Sequence, residues 1–391
     1  MLGGRLIMSF ENTRVLVLDG GGRQALPVLK WLHDLKCHIT TVNSSKLDIG
    51  YASRFPKGKL LTQHPIYDTE EKENFIDKEI RSGKYDVVIP LSDLSTQYIS
   101  KHLGEYSKYI RTFVPEYSVF MKAYDKQQTM EICQEHDIPC TRTKESDEAF
   151  EDFIEKVGYP IVVKPRSGCG SVGFRCLHND AEWKKFVEEN DNPDEYVVQE
   201  YVNQDGRQYN VHLFMDGEEN VVFAVPTQKC RWFPVDGGAS CFCRTVDRPD
   251  LVEQCTRLLK AVHWKGYCEI EMIEDVSTGT EKIIEINGRT SASIKICQLY
   301  GVNIGKGMLA LAYGERLEPQ PFVYRDARMR CIHTDLLWFL KSNERFKSSP
   351  SWFNNRHTRD QIFSLSDPLP FFTFSVQSLA KYKKEMKKRS R

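Results

Sequence analysis

The sequence carries no surplus of charge in either sign. Lys+Arg and Asp+Glu both number 54 in 391 residues, a formal net charge of zero. Non-specific nucleic-acid binding rests on a basic surplus, so this balance argues against a nucleic-acid partner. No apolar run approaches the ~20 residues that span a bilayer, so no integral membrane segment is expected. The first residues lack the long apolar stretch and cleavage site of a secretory signal, and the fold is expected to begin near Asn12. Twelve cysteines are scattered without a Cys-x-x-Cys pair. Cys241 and Cys243 lie closest, and in a strand they would point the same way. With no export signal, free buried thiols are expected rather than disulfides, and the cytoplasm is the expected location. Internal repeats and low-complexity tracts are also absent.

What is present is the balance of a globular chain, with 40% apolar and 28% charged residues. Its length suits two or three domains. Residues 14–19, Arg-Val-Leu-Val-Leu-Asp, form a short aliphatic run that ends in Gly20-Gly21-Gly22. A helix is expected from about Gln24 to Lys36, with Leu26, Leu29, Leu32 and Leu35 three residues apart. His38–Val42 reads as a second strand, and Asp86–Pro90 as another, reached through a polar helix near Thr69–Ser82. Strands alternating with helices imply a parallel, doubly wound sheet, an α/β fold. The full Gly-x-Gly-x-x-Gly spacing of a dinucleotide site is missing, so the glycines read mainly as a close strand-to-helix turn in a Rossmann-like scaffold.

The second region, about Pro115 to Glu315, holds nearly all the chemistry. It opens with a helix around Lys122–His136, and Ile138-Pro139 enters a strand. Ile161-Val-Val-Lys-Pro165 is a buried-strand pattern that leads into Ser167-Gly168-Cys-Gly170-Ser171-Val-Gly173. Glycines so spaced let main-chain N–H groups approach phosphate oxygens, and Lys164 supplies a nearby cation. No Gly-Lys-Ser/Thr ends the loop, so it is not a Walker motif, and an ordinary hairpin turn would also explain it. Tyr196–Val202 is a further strand whose end could present backbone groups to an adenine edge. Gly266–Glu274 and Glu281–Ile286 flank the turn-forming residues 275–280 and read as a hairpin.

Glu271 and Glu285 stand in otherwise apolar strands, where a carboxylate is costly unless paired or metal-bound. Paired across the hairpin, with Asn287 two residues further on the same face, they could share one or two Mg²⁺ ions. The alternative is two edge-strand glutamates facing solvent. Ser92-Asp93 follows a strand at its C-terminal end, where α/β sheets bind ligands. Asp93 reads either as a substrate contact or as a helix N-cap.

Lys126, Lys164 with its glycine loop, Gln199-Glu200-Tyr201-Val202, Glu271 and Glu285-Ile-Asn287-Gly-Arg289 occur in the order and spacing of the ATP-grasp superfamily. Over roughly residues 12–316 the chain resembles its carboxylate–amine ligase branch, related to carbamoyl phosphate synthase and D-aspartate ligase. The resemblance implies a Rossmann-like pre-ATP-grasp domain at 12–115 and a two-lobed, α+β ATP-grasp domain at 116–316, with a lid subdomain at about 140–205. A C-terminal extension with a basic tail, 317–391, would follow. ATP and Mg²⁺, or Mn²⁺ in its place, are the implied cofactors. Lys126 and Lys164 would hold the ATP phosphates, and the loop with Ser167, Gly168, Gly170, Ser171 and Gly173 would close over them. Glu200 and Val202 would meet adenine through their main chain. Glu271, Glu285 and Asn287 would be the metal ligands, and Arg289 would steady the transferring phosphoryl group. Lys229 and Arg231 fall where these ligases present basic residues to anionic substrates; Arg244 and, more weakly, Lys295 share that reading, against that of solvated charges.

Two departures stand out. The acidic residue usual for ribose is Gln208 here, a weaker partner for a hydroxyl, and Gly288 replaces the common proline in Glu-x-Asn-Pro-Arg. The implied activity is ATP-dependent amide or peptide-bond formation through an acyl-phosphate, with small-molecule carboxylate and amine substrates, one of them an amino acid or peptide-like. A homodimer is the usual assembly of the family. A regulatory nucleotide-binding protein without turnover and a phosphotransferase are the alternatives on the same fold. The basic end, Lys381–Arg391, reads as a solvated, frayed helix or as an electrostatic contact with an anionic membrane or partner.

Overall fold

The architecture is that of a computed structural model, which describes residues 9–62, 74–168, 173–203, 205–235 and 237–389, with side chains to residue 379. Strands β1 (Arg14–Val17), β2 (His38–Asn43), β3 (Gly58–Leu61) and β4 (Val87–Ile89) form a parallel sheet in the order β3-β2-β1-β4. The aliphatic run of β1 is buried on both faces, as parallel strands are. Val15 and Val17 point into one apolar cluster, Leu16 and Leu18 into another. The glycine turn after β1 is a point of close backbone approach. A Cβ on Gly20 would lie 2.2 Å from Asn43 Oδ1, and Gly20 O accepts the amide of Gly50 at 2.7 Å. Part of the segment read as a polar helix near Thr69–Ser82 lies outside the described residues; the described helix is Phe75–Arg81.

Strands β5 (Ile161–Pro165), β6 (Arg175–Leu177) and β7 (Tyr196–Glu200) make a small antiparallel sheet in the order β6-β5-β7. The helices Phe150–Val157 and Asp180–Glu189 cover it through Phe153, Trp183 and Phe186. The large sheet comprises β8 (Gln208–Met215), β9 (Val221–Phe233), β10 (Ala239–Thr245), β11 (Gly266–Asp275), β12 (Thr280–Asn287), β13 (Arg328–Arg330) and β14 (Thr358–Asp360), in the order β12-β11-β8-β9-β10-β13-β14. One face of its β8-β11-β12 end packs Val211, Leu213, Ile270, Met272, Ile283 and Ile286 against the helices Tyr117–Tyr124 and Pro249–Ala261. The alternation that buries those residues turns Asn210, Glu269 and Glu271 to the opposite face.

The chain is thus a mixed α/β protein, with a Rossmann-like N-terminal sheet followed by two further sheets. Two features differ from the sequence expectation. The helix expected at Lys122–His136 is two helices, Tyr117–Tyr124 and Lys126–Glu135, broken at Asp125, whose side chain caps the second by accepting from Gln127 N at 2.9 Å. The C-terminal region is woven into the large sheet: β13 pairs with β10, and the helix Ile332–Lys341 packs on β9 and β10. There Asp335, fully buried, accepts from Arg231 Nε at 2.7 Å and Nη2 at 3.0 Å and lies 3.0 Å from Arg330 Nη2. All eleven described cysteines are free, and no helix among the described residues is long and apolar enough to cross a membrane.

Removing one member of a buried charge cluster strands the others. Asp335→Asn is therefore expected to lower the unfolding free energy by about 3–5 kcal/mol, measured by urea denaturation. A loss below about 1 kcal/mol would show that the guanidinium groups find other partners.

Candidate active site

The β11–β12 hairpin sets Glu271 directly opposite Glu285, and Glu269 opposite Asn287. The turn is fixed by Asp275, whose carboxylate accepts from the Ser277 amide at 3.0 Å. With the apolar residues of both strands committed to the core behind, the two carboxylates share the polar face. Asn287 Nδ2 donates to Glu271 Oε1 at 3.2 Å, and its Oδ1 accepts from Arg289 Nη2 at 3.1 Å. Arg289 Nε in turn donates to Asp93 Oδ2 at 3.2 Å. Lys126 Nζ stands 3.5 Å from Glu285 Oε2, and Lys229 Nζ 3.9 Å from Glu271 Oε2. The charge of Lys164 is felt from the same place: burial pushes its ammonium down to about 8, Lys126 adds to that, and Glu285 and Glu271 oppose it.

Burial raises the Glu271 carboxyl above the usual carboxylate range; Glu285 and Glu269 reinforce that, and Lys229 and Arg289 only partly offset it. Glu269, although buried, is held below the usual range by His212, Ser293, Ser291 and Arg289. Ser293 Oγ donates to Glu269 Oε2 at 2.5 Å, and His212 Nδ1 lies 3.4 Å away from the same oxygen. Among the described residues no group of three or more His, Cys, Asp or Glu is placed to hold a metal. The set present is two opposed carboxylates and an amide oxygen. Such an incomplete oxygen set fits Mg²⁺, which keeps several waters and takes phosphate oxygens to complete its shell. Burial is the main cause of the raised Glu271 carboxyl, and the facing Glu285 adds to it, a cost that a bound cation would offset.

The glycine loop reaches this group through the first turn of the helix Lys126–Glu135. Lys126 N donates to Arg166 O at 2.9 Å, and Lys126 Nζ donates to Gly168 O at 2.8 Å. Arg166 clasps Asp125 with two hydrogen bonds, at 2.7 and 3.1 Å. Ser167 is exposed, and Gly168 and Gly173 have φ of +102° and +76°, a conformation that favours glycine. Gly170 and Ser171 lie outside the described residues. Glu200, at the end of β7, accepts from Arg142 N at 2.7 Å and from Lys282 Nζ at 2.8 Å. Val202 is buried, and Gln208 opens β8 in register with Lys229 on β9.

The structure therefore gathers Lys126, Lys164, Lys229, Glu271, Glu285, Asn287 and Arg289 into one group. Arg231, expected to face an anionic substrate, is committed elsewhere. Its guanidinium is 1% exposed, sits over the Phe242 ring at 4.1 Å and bonds Asp335 and Pro350 O. Asp335 follows it by 104 residues, a pairing that no local spacing signals. Arg244 is engaged with Gln228 Oε1 at 3.0 Å. Lys295 lies in a separate cleft with Leu26, Lys30, Phe55 and Asp367, where burial pushes it down to about 8 against the pull of Asp360. The helix after β4 is capped by Ser92, which accepts from Ser95 N, and this leaves Asp93 for Arg289. Asp125 and Arg166 were not singled out from sequence, because only the break in the helix brings them together.

A lysine shifted to about 8 is protonated below that pH and neutral above it. Competitive acetylation across a pH series, read by peptide mass spectrometry, should give Lys164 a reactivity midpoint near 8. A Lys164 midpoint at the ordinary lysine value of about 10.4 would contradict the desolvated, cation-rich environment.

Comparison with known proteins agrees with this geometry. Residues 123–293 match the family of ATP-grasp domains. D-aspartate ligase of Enterococcus faecium is 24% identical over 279 residues, covering 64% of this chain and 62% of that protein. The carbamoyl phosphate synthase large chain of Pseudothermotoga lettingae is 24% identical over 323 residues, 78% of this chain but 28% of its own length. The chain thus spans less than two thirds of either relative. Among solved structures, the biotin carboxylase domain of Hydrogenobacter thermophilus 2-oxoglutarate carboxylase superposes with a TM-score of 0.65 at 17% identity, over 78% of this chain and 70% of that one. Sheet order, site geometry and these matches converge on residues 123–293, the segment of this chain that is similar to ATP-grasp domains.

Proposed function

We propose that the chain is an ATP- and Mg²⁺-dependent carboxylate–amine ligase that forms an amide or peptide bond through an acyl-phosphate. The observation that carries this reading is the Glu271–Glu285 pair with Asn287 and Arg289 beside it and Lys126 and Lys229 within 4 Å of the carboxylates. The printed names of the relatives support it: one is a D-aspartate ligase, and the superposed biotin carboxylase domain was solved with MgADP. The same reading divides the chain into a pre-ATP-grasp domain at 12–115, an ATP-grasp domain at 116–316 with its lid at about 140–205, and an extension at 317–391.

A carboxylate is a poor electrophile because oxide is a prohibitive leaving group. Transfer of the γ-phosphoryl group of ATP to the acid gives a mixed anhydride, and phosphate then leaves when a neutral amine attacks the carbonyl carbon. Lys126 and Lys164 hold phosphate oxygens, and residues 167–173 cover them and exclude water. Glu200 and Val202 present main-chain groups to adenine, and Gln208 meets the ribose. Glu271, Glu285 and the Asn287 oxygen would hold Mg²⁺, which supplies charge neutralisation between the carboxylates and the phosphates. Mn²⁺ has the same ligand preference and would serve in its place. Arg289, fixed by Asp93 and Asn287, faces the transferring phosphoryl group, and Lys229 the acid or its acyl-phosphate.

A screen of acid–amine pairs for ATP-dependent phosphate release, with mass identification of products, tests the reaction class. The expected product has the mass of acid plus amine less water. A stable phosphorylated product would instead make the protein a phosphotransferase, and nucleotide binding without turnover on any pair would make it a regulator. Glu285→Gln removes one charge from the metal-holding pair with little change in shape. It is expected to lower Mg²⁺-dependent turnover by at least about a hundredfold while the circular dichroism spectrum stays unchanged. Near-normal turnover would remove Glu285 from the metal site.

A further inference from the structure

The C-terminal helix, Leu369–Arg389, is apolar on two sides. Its inner side is accounted for. Phe371 and Phe374 pack with Leu26, Ile49, Cys331 and Ile362, Ser375 Oγ meets His333 Nε2 at 2.7 Å, and Gln377 Nε2 donates to Asp48 Oδ1 at 3.0 Å. The outer side carries Leu369, Phe372, Val376 and Leu379, at steps of three, four and three residues. Each is more than half exposed, and Leu379 is 82% exposed. Leu365, in the approach to the helix, is 89% exposed. A helix stripe of this spacing is normally covered by something.

The charge of the chain says what covers it. Seven of its 54 basic residues and one of its 54 acidic residues fall within 381–391, so the other 380 residues carry 47 basic and 53 acidic side chains, a net of −6. The neutral total hides an acidic body with a concentrated basic end. That end belongs to the same helix as the exposed stripe, whose backbone runs on to Arg389. An exposed apolar stripe continuing into a lysine-rich turn is the composition of helices that lie in the headgroup region of an anionic bilayer. A spanning role is not available, since no described helix is long and apolar enough to cross a membrane. A second copy of the chain fits less well, because pairing the stripe with itself in parallel would set the two basic ends side by side. The acidic body also gives the contact an orientation, with the basic end attracted to the surface and the remainder repelled from it.

We propose that the outer face of the C-terminal helix, Leu369, Phe372, Val376 and Leu379, together with the basic residues that follow it, docks the protein reversibly on an anionic membrane surface. The apolar stripe supplies the burial and the lysines supply the attraction. This contact is independent of the ligase reading, since Leu369, Phe372, Val376 and Leu379 are not among the residues gathered around Glu271 and Glu285.

Co-sedimentation of the full chain tests it, with vesicles of phosphatidylcholine alone and of phosphatidylcholine mixed with phosphatidylglycerol. The protein is expected to sediment with the mixed vesicles and not with phosphatidylcholine alone, and added salt should weaken the association. Phe372→Asp combined with Leu379→Asp, at positions already in contact with water, should lower the bound fraction about tenfold or more with an unchanged thermal melt. Lys383→Glu combined with Lys384→Glu should lower binding to the mixed vesicles by a similar factor, and this second variant keeps the test valid if the first unfolds. Wild-type protein left in the supernatant with both vesicle types would overturn the proposal. So would variants that sediment like the wild type. A wild-type dimer in light scattering that Phe372→Asp/Leu379→Asp turns into a monomer, without vesicle binding, would assign the stripe to a second copy instead.

Discussion

Two carboxylates held face to face across a hairpin are the constraint around which the rest of the molecule is arranged. Glu271 and Glu285 occupy directly paired positions in β11 and β12, and like charges opposite one another in a sheet repel. Burial is the main cause of the raised Glu271 carboxyl, and the repulsion from Glu285 adds to it. It is tolerable only because cations converge from separate parts of the chain: Lys126 from a helix start, Lys164 from β5, Lys229 from β9 and Arg289 from the segment after β12. Each of these cations is in turn partly desolvated, so the group holds opposite charges short of full neutralisation. A ligand that brings both negative phosphates and a divalent cation matches both deficits at once.

The segment that carries Arg289 is clamped from two other regions. Asp93 takes the Arg289 guanidinium, and Leu91 O accepts from Thr290 Oγ1 at 3.0 Å, so the end of β4 in the N-terminal sheet grips residues 289 and 290. From the far end of the chain, the Gln361 amide donates to Ala292 O and its oxygen accepts from Arg23 Nη1 at 2.9 Å. The N-terminal sheet and the C-terminal region are therefore structural parts of the site, even though the family match stops at residue 293. This is the ordinary logic of a site on an irregular segment, which is only as well placed as the rigid elements that hold it.

The buried Arg231–Asp335–Arg330 cluster has a different role. Its two guanidinium groups share the one Asp335 carboxylate, Arg231 also donates to Pro350 O and Arg330 to Asn355 Oδ1, and cation–π contacts with Phe242 and Trp338 enclose Arg231. It pins the helix Ile332–Lys341 to the large sheet and so fixes the region from which the C-terminal helix departs. Lys229, two residues earlier on the same strand, keeps its ammonium near Glu271. Two basic residues of the same strand thus have opposite fates, one structural and one at the site.

The sequence by itself determined the classes of element and the polar positions. The β1 run with its glycine turn, the apolar strands interrupted by Glu271 and Glu285, and the Glu-Ile-Asn-Gly-Arg motif were legible because period-two alternation and turn chemistry are local properties. So was the expectation of unpaired thiols, which follows from scattered cysteines. Tertiary structure decided the partners. Whether Arg231 faces a substrate or Asp335, whether Asp93 caps a helix or holds Arg289, and that residues 328–330 and 358–360 complete the large sheet all depend on contacts between residues far apart in the chain. A long-range ion pair leaves no periodic trace in sequence, because the entropy of closing a loop grows so slowly with its length that partners many residues apart remain accessible.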